Sequence, residues 1–279
     1  MRPSLLLALV VTVACSGDQP PEQSAETPPS IPEVHFTAHD FSFDGPTSLE
    51  AGMVTLVLAN EGETLHHLQL VRLPEDMTFE SFQEAMAQMQ PGSPPPPWFV
   101  DAGGVNPPPN GGVARVTQVV EAGEYAVLCL VDTPDKIPHV MKGMMQPLTV
   151  TPSDAPVPPL PEATLSLSLV DYAFSFSAPP TSGTHTVRVE NGATQSHEIV
   201  VFRLLPGKTM DDLGAWAATY EGPPPAEPVG GVPGIHPGQV VNVELTFEPG
   251  DYAALCFIPD ATDGRLHTEH GMVMPFTVS

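Results

Sequence analysis

Four residue types that ligate metals occur in the same order in both halves of the chain. Each set has a histidine, a cysteine, a second histidine and a methionine: His66, Cys129, His139 and Met144, then His197, Cys256, His267 and Met272. A thiolate and two imidazoles, with a weak axial thioether, suit both Cu(II) and Cu(I), so an electron moves with little rearrangement of the ligands. Each set therefore predicts a type 1 copper site.

The segments around these residues are written twice along the chain. Residues 60–66 correspond to residues 191–197 at an offset of 131, and residues 123–129 correspond to residues 250–256 at an offset of 127. Small changes of offset are loop insertions in a repeat whose segments otherwise keep register. We therefore predict two tandem domains and a Pro-rich linker, with these bounds: domain 1 at 31–150, the linker at 151–161 and domain 2 at 162–279.

Apolar and polar residues mostly alternate within each copy, as in residues 54–58 and 165–169. Alternation with Val and Thr enrichment predicts half-buried strands. One segment per copy instead has helical spacing, and its apolar residues, including Met86 and Met89, are expected to face the core: Phe79, Phe82, Met86 and Met89, then Met210, Leu213, Ala217 and Tyr220. The Pro-rich stretches 91–109 and 223–237 are predicted to be loops. The predicted fold is all-β, with two tandem Greek-key β-sandwiches that each carry one inserted short helix.

Some ligand positions have rivals nearby in the sequence. His67 competes with His66, but the constant offset to His197 favours His66. Alignment through the glycine before each methionine selects Met144 and Met272 over three neighbours: Met141, Met145 and Met274. His270 has no counterpart in the first copy and is interpreted as a loop residue. The other histidines are interpreted as solvated or hydrogen-bonded: His35, His39, His185 and His236.

With these residues in place, the sequence resembles the cupredoxins, the type 1 blue-copper family, over nearly all of residues 31–279 and once per repeat. The resemblance implies that Cys129 and Cys256 supply thiolates and that His66 and His197 are buried. It also implies that His139 and His267 lie near the surface, where electrons enter. Many cupredoxins have Asn after the upstream histidine, whereas this chain has His67 and Glu198. The alternatives left open are two buried cysteines that bind no metal, or a disulfide between them.

The same resemblance bears on catalysis. Catalytic coppers in two-domain members of the family require extra histidines, in His-x-His pairs or directly before the type 1 cysteine. Neither motif is present, because Leu128 and Leu255 precede the cysteines. We therefore expect that the chain is not an enzyme.

The N-terminus reads as a targeting segment. Residues 5–14 are an apolar run of ten, too short to span a bilayer, and Cys15 follows directly. The segment resembles a bacterial lipoprotein signal peptide (1–15), which implies that Cys15 is lipidated. Residues 16–30 are Pro, Ser, Glu, Gln and Thr with scarcely an apolar residue, so we predict a disordered tether. The expected location is the cell envelope, on its periplasmic or extracellular face, with membrane contact only through the lipid.

The composition limits the partners. Nine Lys and Arg against 33 Asp and Glu give a net charge of −24, which repels phosphate backbones and excludes nucleic acid as a partner. The same charge predicts a basic redox protein as partner. The expected function is membrane-tethered electron transfer with one or two type 1 copper ions. The alternatives are a copper-sequestering envelope protein without a redox partner and a metal-free cupredoxin-fold binding module.

Overall fold

The computed structural model describes residues 30–90, 93–109 and 111–279. They form two large β-sheets and two short α-helices, so the predicted all-β class with one helix in each copy is confirmed. The expected signal peptide, the lipidation site Cys15 and the tether up to residue 29 lie outside the described residues. Neither of the two helices in the described part of the chain has the length and apolar character needed to cross a membrane.

Strands and helices follow the same order in the two repeats. The first repeat contains β1 (Glu33–His39), β2 (Ser42–Asp44), β3 (Ser48–Glu50), β4 (Gly52–Asn60), β5 (Leu68–Arg72), α1 (Phe79–Ala87), β6 (Val100–Val105), β7 (Val113–Val120), β8 (Gly123–Leu128) and β9 (Met145–Thr151). The second contains β10 (Leu165–Val170), β11 (Ala173–Phe176), β12 (Gly183–Asn191), β13 (His197–Leu204), α2 (Met210–Thr219), β14 (Ala226–Ile235), β15 (Val240–Phe247), β16 (Gly250–Leu255) and β17 (Val273–Val278). Residues 152–164, between β9 and β10, contain no helix or strand.

Both sheets take strands from both repeats. The strand order is β11-β10-β12-β15-β7-β4-β1-β2 in one sheet and β17-β16-β13-β14-β6-β5-β8-β9-β3 in the other. The repeats join where β15 pairs with β7 and where β14 pairs with β6, both antiparallel. One cluster of buried apolar side chains runs through both copies, so residues 31–279 form one compact unit.

The strands at this junction correct the sequence prediction. Residues 91–109 and 223–237 were expected to be loops, yet they contain β6 and β14. Proline marks loops because it cannot donate to a ladder, but strands accept it at irregular positions. The pairing of β14 with β13 shifts register twice, and Pro228 lies opposite Phe202 at one of the shifts. The prediction of loops at these two stretches is therefore wrong, and at Pro228 the proline lies where the strand pairing is irregular.

Both helices begin at a threonine cap, and their burial follows the predicted spacing on α1 but only in part on α2. On α2, Leu213 is buried and Met210 packs against the same apolar cluster, but Trp216 packs there instead of Ala217 and Tyr220. Thr78 and Thr209 are the N-caps, and each side chain accepts a hydrogen bond from the third residue of its helix. On α1, Phe82 and Met86 are buried, and Met89 packs against the same apolar cluster. Met86 and Met89 are therefore core residues, as expected.

Candidate metal centres

Three potential ligands of the first repeat converge in the interior. We call His66, Cys129 and His139 the first centre. The two Nδ1 atoms lie 3.0 Å apart, and the Cys129 Sγ lies 3.5 Å from the Nδ1 of His139. All three side chains are fully buried. His139 and its counterpart His267 were expected to lie near the surface, and that expectation is wrong, because both are 0% exposed. Their ligand atoms lie within 4.8 Å of one another, which is close enough to hold one metal ion.

The second repeat builds the same arrangement, the second centre, from His197, Cys256 and His267. The two Nδ1 atoms again lie 3.0 Å apart, and the Cys256 Sγ lies 3.3 Å from the Nδ1 of His267 and 3.8 Å from that of His197. These side chains are also fully buried. Both cysteines are free, so neither takes part in the disulfide left open by the sequence.

Strand ends and one tight turn position the ligands of each centre. Cys129 directly follows β8, and a short 3-10 turn, His139–Lys142, returns the chain past it. The backbone fixes this loop, because the Val140 N–H donates to the Cys129 carbonyl and the His139 N–H donates to the Val131 carbonyl. In the second repeat the N–H groups of Thr268 and His267 donate in the same way, to the carbonyls of Cys256 and Ile258.

The two predicted axial methionines lie beside these ligands in the fold. Met144 and Met272 are fully buried, and the N–H of each donates to the carbonyl of the histidine five residues earlier. Gly143 and Gly271 precede them with φ of 99° and 95°, a left-handed conformation that favours glycine and reverses the chain. Met141 is 46% exposed, so the burial distinguishes Met144 from this rival.

A carboxylate orients the upstream histidine in each centre. His66 Nε2 lies 3.0 Å from Asp40 Oδ1, and His197 Nε2 lies 2.9 Å from Asp171 Oδ1. Because a carboxylate only accepts, Nε2 carries the proton and Nδ1 presents a bare lone pair to the centre. The hydrogen bond from His66 also lowers the pKa of Asp40.

The electrostatics of the first centre fit a bound cation. Burial raises the pKa of the Cys129 thiol to about 12, and burial lowers the pKa of His139 to about 4. Two neutral imidazoles and a thiol thus meet with lone pairs facing one another. The backbone N–H of His67 donates to the Cys129 Sγ at 3.4 Å, which favours a thiolate. A cation would supply the charge that this thiolate needs, and the set of soft sulfur and imidazole donors fits copper.

The residue after each upstream histidine braces the cysteine strand. His67 Nε2 accepts a hydrogen bond from the Leu130 N–H at 2.8 Å, and Glu198 Oε1 accepts one from the Phe257 N–H at 2.7 Å. The His67 ring is therefore engaged with the backbone, and His66 is the histidine that reaches the sulfur. Burial lowers the pKa of His67 to about 3 and raises that of Glu198 to about 7.

His270 lies outside the second centre. It stacks on the ring of Tyr172, with ring centroids 4.9 Å apart, and its Nε2 contacts Asp263 Oδ1 at 3.2 Å. Asp260, Asp263 and His270 form a third group of potential ligands, but Asp260 already accepts hydrogen bonds from Tyr172 and Gln195.

Two functional side chains were missed by the sequence prediction, namely Asp40 and Asp171. They are offset by 131 residues, like His66 and His197. A search for every polar residue that repeats at that offset would have found them. No sequence pattern indicated a role for Asn106, which is buried and contacts residues of the second repeat.

No protein-family model and no curated protein matches this sequence. Several solved structures do. An auracyanin from Roseiflexus castenholzii is 22% identical over 41% of this chain and 94% of that chain, with a TM-score of 0.29. A blue copper oxidase from Nitrosomonas europaea is 16% identical over 89% and 86%, with a TM-score of 0.28. A copper nitrite reductase from Nitrosomonas europaea is 12% identical over 90% and 94%, with a TM-score of 0.24. Copper proteins of these kinds are what the resemblance to the cupredoxins leads one to expect among similar structures.

The expectation that the chain is not an enzyme is wrong. It rested on missing His-x-His and His-Cys motifs, yet the described residues hold two His–Cys–His groups. A motif describes neighbours along the chain, whereas each of these groups is assembled from segments that lie far apart in the sequence. Missing motifs therefore do not exclude oxidase or reductase chemistry.

Proposed function

We propose that this protein binds copper at both centres and transfers electrons with them. The observation that carries the proposal is the convergence of two imidazole Nδ1 atoms and a thiol sulfur, fully buried, in each of two repeats. His66, Cys129 and His139 would hold one ion with Met144 as the axial ligand, and the corresponding residues of the second repeat would hold another. When bound, copper would supply a one-electron couple between Cu(II) and Cu(I).

The chain's own contacts support a redox role. Asp40 fixes the tautomer and the orientation of His66, and the backbone of His67 donates to the cysteine sulfur. His67 and Glu198 hold the backbone that follows each cysteine. Ligands fixed in this way move little when the charge at the centre changes, and small movement is what fast electron transfer requires.

The proposed location and partner come from the sequence and the charge. A signal peptide with Cys15 as lipid attachment site would tether the protein to a membrane of the cell envelope, with residues 16–30 as spacer. A net charge of −24 favours a basic redox partner, whose association would weaken as salt shortens the Debye length to about 8 Å at physiological ionic strength.

The proposal is tested by loading the protein with Cu(II) and recording its visible spectrum through a cycle of reduction and oxidation. An intense thiolate-to-copper band that bleaches on reduction and returns on oxidation is the expected result. Copper bound without that band would indicate sequestration. A protein that binds no copper would indicate a binding module.

A further inference from the structure

The surroundings of the two centres differ in charge at corresponding positions. Both upstream histidines contact an aspartate, so Asp40 and Asp171 contribute alike. Arg265 stands where the first repeat has Ile137, but it is paired with Glu269 at 3.2 Å. Three further pairs of positions differ: His67 and Glu198, Asp132 and Asp260, and Lys142 and His270. Glu198 is more negative than His67, and His270 is less positive than Lys142. Asp260 holds its charge closer to the ligands than Asp132 does.

The brace on the cysteine strand shows the first difference. His67 and Glu198 do the same structural task, since each accepts the N–H of the residue after its cysteine. One is a neutral imidazole, whereas the other is a carboxyl group that is only 6% exposed. The Glu198 backbone N–H also donates to the Cys256 Sγ at 3.4 Å. An acidic side chain therefore lies in direct contact with the ligand strand of the second centre alone.

The second difference lies at the other histidine of each centre. Asp260 is 2% exposed, and its Oδ2 lies 3.8 Å from His267 Nε2. The Tyr172 hydroxyl and the Gln195 amide donate to the same oxygen at 2.6 and 2.9 Å, which holds the carboxylate in place.

The first centre lacks this carboxylate. Asp132, the counterpart of Asp260, is exposed. His139 Nε2 and His267 Nε2 are both buried without a hydrogen-bond partner, so the two centres differ here in the carboxylate 3.8 Å from His267. Near the first centre, Lys142 Nζ lies 5.5 Å from the centroid of the Phe41 ring, which packs edge-on against His139, and Lys142 is paired with Asp135 at 3.0 Å.

A buried asparagine of the first repeat contacts the second repeat. Asn106 is fully buried; its Nδ2 donates to the Ile199 carbonyl at 2.9 Å and lies 3.5 Å from Glu198 Oε2. Its Oδ1 is buried without a hydrogen-bond partner. Asn106 therefore joins the first repeat to the residue that braces the second cysteine strand.

We infer that the two centres have unequal reduction potentials, with the second lower than the first, so that electrons pass from the second centre to the first. The inference rests on the proposed function. Negative charge stabilises the oxidised, more positive form of a metal centre and lowers its potential. Asp260 supplies that charge at the second centre only, and Glu198 adds to it when ionised.

The step itself is a single electron transfer. One electron leaves the reduced second centre and enters the oxidised first centre, and no bond forms or breaks. An external one-electron donor protein reduces the second centre, and an external one-electron acceptor protein oxidises the first. No proton transfer is required for the balance.

The test is a potentiometric titration of two variants of the full chain, each followed at its own thiolate band. Cys129→Ser leaves only the second centre, and Cys256→Ser leaves only the first. We expect the reduction equilibrium constant of the second centre to be about tenfold or more below that of the first, which is about 59 mV for one electron.

Two further variants, made in the Cys129→Ser background, assign the cause. Glu198→Gln and Asp260→Asn each remove a carboxylate beside the second centre and are expected to raise its potential. Asp211→Asn removes an exposed carboxylate of the same repeat on α2 and is the matched control, with no expected shift. If Asp260→Asn does not fold, Glu198→Gln still decides the question.

The outcomes separate this inference from the proposed function. Reducible bands in both variants with the second potential lower support the inference. Reducible bands with equal potentials, or with the second higher, overturn the inference and leave the proposed function intact. Absence of a reducible band in both variants overturns the proposed function, and the inference with it.

Discussion

At the scale of single residues, each centre depends on side chains beyond its ligands. Asp40 is the clearest case, because its contact with His66 Nε2 determines which nitrogen of that ring faces Cys129. Without Asp40, the ring can turn and place its proton on Nδ1, where the proton blocks binding. Asp171 plays the same part for His197.

Asp40→Ala is therefore expected to weaken copper binding at the first centre by about 10- to 100-fold, as for other residues that orient a histidine ligand. The affinity is measured by competition with a chelator in the Cys256→Ser background. Asp40→Asn keeps an acceptor oxygen and is expected to lose less. Asp44→Asn is the control, because Asp44 is exposed and contacts His39 rather than a ligand. Equal affinities for Asp40→Ala and Asp44→Asn would contradict this account of Asp40.

How well sequence predicts a site residue depends on how that residue acts. Cys129 and His139 could be recognised because their chemistry is rare and repeats with regular spacing. Asn106 could not, since an asparagine has no distinctive chemistry and its role depends on β13 of the other repeat. His67 and Glu198 stood out as departures from a family pattern, but their acceptor role required the coordinates.

At the scale of elements, the pairing of β5 with β6 brings two backbones unusually close. Gly104 on β6 has φ of 134°, and a Cβ added there would lie 1.9 Å from the Leu68 carbonyl oxygen. Gly231 on β14 is its counterpart, at φ 142° and 1.9 Å from the Ile199 carbonyl oxygen. Only glycine fits at these positions, and both strands lie where the repeats join.

Gly104→Ala is expected to destabilise the protein by more than about 1 kcal/mol, because the strained φ and the clash with backbone add together. The control is Gly214→Ala on α2, where an added Cβ meets nothing within 4 Å. That change is expected to stabilise by about 0.5–1 kcal/mol, since alanine favours helix. Denaturant unfolding measures both. A stability loss in Gly214→Ala as large as that in Gly104→Ala would contradict the argument from close approach.

Sequence patterns predicted many of the strands and helices, but not which strands pair. Alternation identified strands such as β10 and β15, and helical spacing identified α1 and α2. The pairing of β15 with β7 could not be predicted, because it joins residues more than one hundred positions apart and alternation does not specify a partner. The strands β6 and β14 were also not predicted, because prolines and glycines in these stretches indicate loops, although irregular strand pairing can contain them.

At the scale of the whole molecule, buried titratable groups make the stability of the metal-free protein depend on pH. His67, with a pKa of about 3, and His139 and His267, with pKa values of about 4, lie below the ordinary value near 6.5. The unfolded chain binds these protons first, so stability falls as pH falls below about 6.5. Glu198 and Asp101 have pKa values raised to about 7 and about 6, so they act in the opposite direction down to about pH 4.5.

Because three histidines act against two acids, the free energy of unfolding is expected to fall by about 1.4 kcal/mol per pH unit between about pH 6 and 4.5. Below about pH 4 only losses remain, at about 1.4 kcal/mol per pH unit for each group still titrating. Thermal unfolding of the metal-free protein across this range measures the effect. A stability that keeps rising down to pH 3 would show that these histidines are not buried in the neutral form.

The two centres lie in one compact unit. The repeats share both sheets and one apolar core, and Asn106 of the first repeat contacts Glu198 of the second. The central claim is that each cysteine builds its own copper centre within this common scaffold.

The most direct test is the copper content and thiolate band of the protein after Cu(II) loading, compared with Cys129→Ser and Cys256→Ser. We expect each variant to lose one copper ion and the part of the band intensity that its mutated cysteine contributes, while the other centre still binds copper. Loss of all copper in either single variant, or unchanged copper and an unchanged band in both, would contradict it.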